Sequence, residues 1–194
     1  MSKISGMDHF GSDPNTALQY GAVAKVLHWT VVALLAGQYA VGWLMPHISR
    51  DTPNEGLVSW HLSIGVAILF VMTFRLAWRM FRPVTLPAIA PHWQHQLSQA
   101  AHAAIYLLVV VNPLLGWAAA SYRGWDVMLF SFIPLPALAN KGTPWAHTAG
   151  DVHIFLIYVL LGVLALHIMG ALYHYFVKRD NVLQRMLPGD LPTD

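Results

Sequence analysis

The stretch DVHIFLIYVLLGVLALHIMGALYHYFV, residues 151–177, decides the fold. It is apolar at almost every position and is closed by Lys178, Arg179 and Asp180. A hydrocarbon core about 30 Å thick needs roughly 20 such residues in helix to cross it, so this segment spans a membrane. Within it stand His153, His167 and His174. An ionisable ring at membrane depth is costly and by default faces the interior of a bundle. His153 and His167 are fourteen residues apart, which in a helix is about 21 Å of rise and within roughly 40° of the same direction. One helix face thus carries imidazoles at two depths.

Working outward, three further stretches are long and apolar enough to cross: residues 23–45, 57–80 and 99–121. Pro113 interrupts the third, a kink that neighbouring helices can accommodate. The fold class expected is all-α, an integral membrane four-helix bundle. Lys and Arg fall eight to one side (Lys3, Lys25, Arg75, Arg79, Arg82, Lys178, Arg179, Arg185) and three to the other (Arg50, Arg123, Lys141). Cytoplasmic loops hold the excess of positive residues, which puts both termini in the cytoplasm. Residues 1–20 read as a flexible N-terminal arm without the pattern of a signal peptide, residues 21–188 as the membrane domain, and 189–194 as a tail. The longest loop, 123–145, holds an apolar piece at 128–133 that is too short to span and suits the membrane interface.

Composition agrees. Of 194 residues, 56% are hydrophobic and 10% charged, against about 25% charged in soluble domains. There is no cysteine, which excludes zinc-thiolate sites, iron–sulfur clusters and disulfides. Nothing points to nucleic acid. The eight tryptophans gather near span ends, where aromatic rings anchor at the headgroups. Glycines 37, 42, 65, 162 and 170 leave room for a flat ligand or equally for a neighbouring helix.

His28 lies near the start of the first span and His61 near the start of the second. Depth matching then pairs His61 with His153 at the outer level and His28 with His167 at the inner one. Two facing pairs are what two six-coordinate haems b require. Taken singly, any of these rings could instead be an interhelical hydrogen-bonder. His147 lies twenty residues before His167, about 200° away in direction, and is rejected as a ligand. His174 and His102 sit at the inner level, suited to a quinone, a haem propionate or interfacial water. Arg75 and Arg79 share a helix face and serve as positive anchors or propionate partners. Arg50, Arg123 and Lys141 could attract a small anion, but Asp51, Glu55, Asp126 and Asp151 share their loops. His9, His47, His92 and His95 read as surface residues.

Several pieces together resemble the bacterial cytochrome b561 family: Leu27-His28-Trp29, Trp60-His61 with Gly65, Phe74-Arg75-Leu76-Ala77-Trp78-Arg79, the His153/His167 spacing, and Ala171-Leu172-Tyr173-His174-Tyr175-Phe176 followed by Arg179-Asp180, Leu183, Arg185, Met186 and Pro188. Many members carry a second histidine where this chain has Tyr175. The resemblance spans residues 20–188. It implies haem b ligands at His28, His61, His153 and His167, a bacterial inner-membrane location, and electron transfer between a periplasmic donor, superoxide for one type of member, and membrane ubiquinone. Two other classes stay open on the sequence: a haem-bearing anchor subunit of a larger dehydrogenase such as hydrogenase or formate dehydrogenase, and a haem-free histidine-lined transporter.

Overall fold

A computed structural model describes residues 19–49, 51–83, 91–130 and 132–187. The expected arm and tail therefore lie outside the described residues, apart from Gln19 and Tyr20. Four helices follow one another: α1 (Ala22–Leu44), α2 (Leu57–Phe81), α3 (His92–Arg123) and α4 (Pro144–Tyr173), the last continued by a single π-helical turn, His174–Lys178. All four are long and apolar enough to cross a bilayer. Their outward faces are apolar too: Phe155 is 65% exposed and Tyr158 64%, as expected of side chains whose solvent is lipid.

The spans start and stop close to where apolar length puts them, except that α4 begins at Pro144 rather than near Asp151 and that α3 starts early as well. That helix begins at His92 rather than near Gln99 and, with 32 residues, is about 48 Å long. Its polar first turns extend the helix ahead of the apolar run, where hydropathy gives no sign of helix. It runs through Pro113 and closes on Gly124, whose left-handed conformation (φ 77°) suits a residue without Cβ.

The 123–145 loop contains structure of its own. Strands β1 (Val127–Leu129) and β2 (Ile133–Leu135) form an antiparallel hairpin with Met128 opposite Pro134. Ser63 on α2 donates to the Met128 carbonyl at 2.8 Å, and Asn54 donates to that of Asp126 at 2.8 Å. Val127 is buried with Val66 and Ala120, while Phe132 is 87% exposed. The short apolar piece is thus a hairpin folded onto α2 with aromatic residues turned outward.

The two ends of the bundle differ. The start of α1 and the residues after the π turn meet at one, where the Tyr20 N–H donates to the Arg185 carbonyl (3.4 Å) and the Trp29 indole to that of Met186 (2.9 Å); this is the terminal end, and the other is the hairpin end. Between them, Val31, Ile68, Met72, Leu108, Val109 and Leu160 form the central core. Ala118, Ala146 and Ala149 draw α3 and α4 together near the hairpin end, since small residues let membrane helices approach. The backbone order is an arc. Neighbours α1–α2, α2–α3 and α3–α4 pack, whereas no Cα of α1 lies within 8 Å of one in α4. This α1–α4 seam is crossed by the Tyr39 hydroxyl, which donates to the Ile157 carbonyl at 2.8 Å.

Candidate functional site

Helix α2 places His61 one turn in from its N-terminus, and α4 places His153 at the same level. Their ring centroids are 6.3 Å apart with planes at 89°. Metal–imidazole bonds run at about 2 Å, so two rings on opposite sides of one metal have centroids roughly 6 Å apart. Both rings line a cavity of about 190 Å³ in the α1–α4 seam, walled by Leu35, Ile68, Val109 and Leu160 among others.

The surroundings fit such a use. Nδ1 of His153 donates to the Asn112 carbonyl at 2.9 Å, which leaves Nε2 with its lone pair free. A hydrogen bond of this kind fixes the tautomer and orientation of a metal-binding histidine. Gly116 lies against the same ring: a Cβ there would stand 3.0 Å from Cε1 of His153. Gly42 does the same for His61, at 3.5 Å. Nδ1 of His61 is buried with no hydrogen-bond partner, and an orphaned polar atom at membrane depth calls for one.

The terminal end gathers a second group, one residue from each helix. His102 and His167 have ring centroids 5.0 Å apart, and His28 lies within electrostatic reach of His167, His102 and Arg75. Nδ1 of His102 donates to the Ser98 carbonyl at 2.6 Å. Arg75 donates from Nε to the Tyr106 hydroxyl at 3.0 Å, while its Nη1 is buried without a partner. The guanidiniums of Arg75 and Arg79 each stand 5.9 Å from the Tyr106 ring. The depth-matched histidines His28 and His167 thus share their level with His102 and a cation, a setting suited to a group with a negative edge.

The other sequence candidates fall elsewhere. His174 is bound through Nδ1 to Asp180 at 2.6 Å, and Asp180 also accepts from the Val182 N–H at 3.1 Å. That clasp ties the π turn to the chain beyond it, so His174 is part of a built turn with only its Nε2 uncommitted. His147 lies 3.5 Å from Asp151 and packs on Tyr122, away from the cavity. His92 and His95 bond to Gln96 and Gln99 along their own helix. Arg123 is committed to the Ser49 carbonyl (2.8 Å) and to the face of Trp125, and Lys141 packs on Gly124; Arg50 lies outside the described residues.

Sequence reasoning missed Gln38, Tyr39, Asn112 and Gly116, all at the cavity or the seam. The signal available was a carboxamide within an otherwise apolar span, at Gln38 and again at Asn112.

Compared with known proteins, residues 19–189 match the family described as prokaryotic cytochrome b561. The chain is 27% identical over 176 residues to cytochrome b561 homolog 2 of Escherichia coli (strain K12), covering 89% of this chain and 93% of that one. It is 29% identical over 177 residues to a protein of Yersinia pestis named probable superoxide oxidase CybB, covering 88% and 96%. Identity to cytochrome b562 of Cereibacter sphaeroides is 23% over 173 residues, covering 87% and 94%.

Proposed function

The chain belongs to the prokaryotic cytochrome b561 family, a membrane electron-transfer family whose cofactor is haem b, and from that premise we propose that it holds two haems b in one bundle. His61 and His153 ligate one at the hairpin end; His28 and His167 ligate the other at the terminal end. The observation that carries this is the placing of the His61 and His153 rings 6.3 Å apart on the wall of one cavity. Haem iron held by these imidazoles would supply reversible one-electron chemistry. The chain's own part is to hold the rings, keep water out with apolar walls and set the potentials through burial and hydrogen bonds.

With the terminal end in the cytoplasm of a bacterial inner membrane, the hairpin end faces the periplasm. Electrons then run between a periplasmic donor and ubiquinone in the bilayer. Arg75 and Arg79 favour the acidic edge of the terminal-end haem. Reduction of a quinone also takes up protons, and His174, oriented by Asp180, presents Nε2 as the group to hydrogen-bond its carbonyl. The Yersinia relative's name supports superoxide as a donor. The engagement of Arg123 with Ser49 and Trp125 argues against a strong charge funnel for it.

Pyridine haemochrome quantitation of purified protein tests the haem assignment, with about two haems b per chain expected. His61→Ala and His153→Ala each remove the same centre; His28→Ala and His167→Ala each remove the other. Folded, membrane-inserted protein without haem, or four variants that each lose both centres, would overturn it.

A further inference from the structure

A guanidinium keeps its charge in any setting and presents five N–H donors, so burying one without an anion is costly. Arg75 on α2 is half-buried at the terminal end, and its Nη1 is enclosed with no partner. Among the described residues, the ion pairs join His147 to Asp151 and His174 to Asp180, so none of their carboxylates serves it. His28, His102 and His167 all lie within its electrostatic reach, which puts the charge at the level of the proposed terminal-end ligands.

Tyr106 on α3 is what holds it. Its hydroxyl accepts from Nε of Arg75 at 3.0 Å, and its ring lies 5.9 Å from the guanidinium carbon, within the range of a cation–π contact. The ring also packs on the central core, so the hydroxyl is a fixed acceptor. With Nε taken by the tyrosine, the rotation of the guanidinium is set, and the enclosed Nη1 is left as a donor for an anion from outside the chain. A phenylalanine would pack on the core as well. An arginine serving only as a positive anchor would keep its donors among water and headgroups.

We propose that Tyr106 is the positioning residue of Arg75, its hydroxyl turning the guanidinium so that Nη1 pairs with a carboxylate on the edge of the terminal-end haem. This rests on the haem assignment for His28 and His167. A cation held there disfavours the extra positive charge of ferric iron, so it raises the midpoint potential of the terminal-end centre and leaves the other alone.

The experiment is a spectroscopic redox titration of the full haem-loaded chain as wild type, Tyr106→Phe, Arg75→Gln and the two combined. The terminal-end step is identified as the one absent from His167→Ala. Arg75→Gln should lower that midpoint, and Tyr106→Phe should lower it by a smaller amount. Adding Tyr106→Phe to Arg75→Gln should change nothing further, because a residue acting through the guanidinium has no effect once that group is gone. The hairpin-end midpoint should hold its wild-type value throughout. An unchanged terminal-end midpoint in either single variant, or a Tyr106→Phe shift as large without Arg75 as with it, would overturn the proposal while leaving the haem assignment intact. Wild-type protein with no haem at His28 and His167 would overturn the assignment, and this inference with it. Should either single variant fail to assemble, Arg75→Lys decides. It keeps the charge but offers the hydroxyl no Nε, and an unchanged terminal-end midpoint in it overturns the role of Tyr106.

Discussion

Single residues at the hairpin-end cavity are fixed by very small spaces. Gly116 is the sharpest case, because a Cβ there meets the His153 ring at 3.0 Å, tighter than packed side chains tolerate without moving. Gly116→Val is expected to push the imidazole off its Asn112 partner. Haem content should fall by the centre that His153→Ala removes, with the other centre's absorbance retained; full loading of Gly116→Val would show that the ring has room to shift. The four proposed ligands, His28, His61, His153 and His167, are nominated by the sequence, because each is a costly polar group in an apolar run and their spacing encodes depth. Gln38 and Asn112 are not. A lone amide in a span has no periodic partner, and its meaning comes from which foreign helix it touches. The closeness of His102 to His167 was equally hidden, since nothing in α3 alone says which face meets α4.

At the level of elements, α1 to α4 were legible because crossing a bilayer demands length and apolarity together, and little else in a chain has both. α4 is apolar on all sides, so hydrophobic periodicity could not orient it and the histidine spacing did. The β1–β2 hairpin was hidden for a different reason. Its segment 128–133 lacks the Asn-Gly or Gly-rich dipeptides that announce tight hairpins, and Phe130 takes a positive φ of 50°. The hairpin is held by tertiary anchors on α2. Ser63→Ala removes the hydrogen bond to the Met128 carbonyl, at a cost of about 0.5–1.5 kcal/mol. Amide hydrogen exchange across Val127, Met128 and Leu129 should speed up, with protection of α2 unchanged; unaltered exchange would mean that the burial of Val127 suffices to hold the strand.

For the whole molecule, the strongest expectation is orientation. Tyr20 and Arg185 meet at one end of the bundle, and the sequence reading assigns eight of the eleven Lys and Arg to that side. A C-terminal green fluorescent protein fusion should fluoresce and a C-terminal alkaline phosphatase fusion should be inactive, because the first matures in the cytoplasm and the second in the periplasm. The reverse pattern would invert the roles given to the two ends and place the hairpin beside the cytoplasm.

The arc of helices leaves α1 and α4 joined across their seam by a tyrosine rather than by backbone packing. For the haem proposed at the hairpin end, that flank is a way in from the side, where no helix backbone stands between bilayer and cavity.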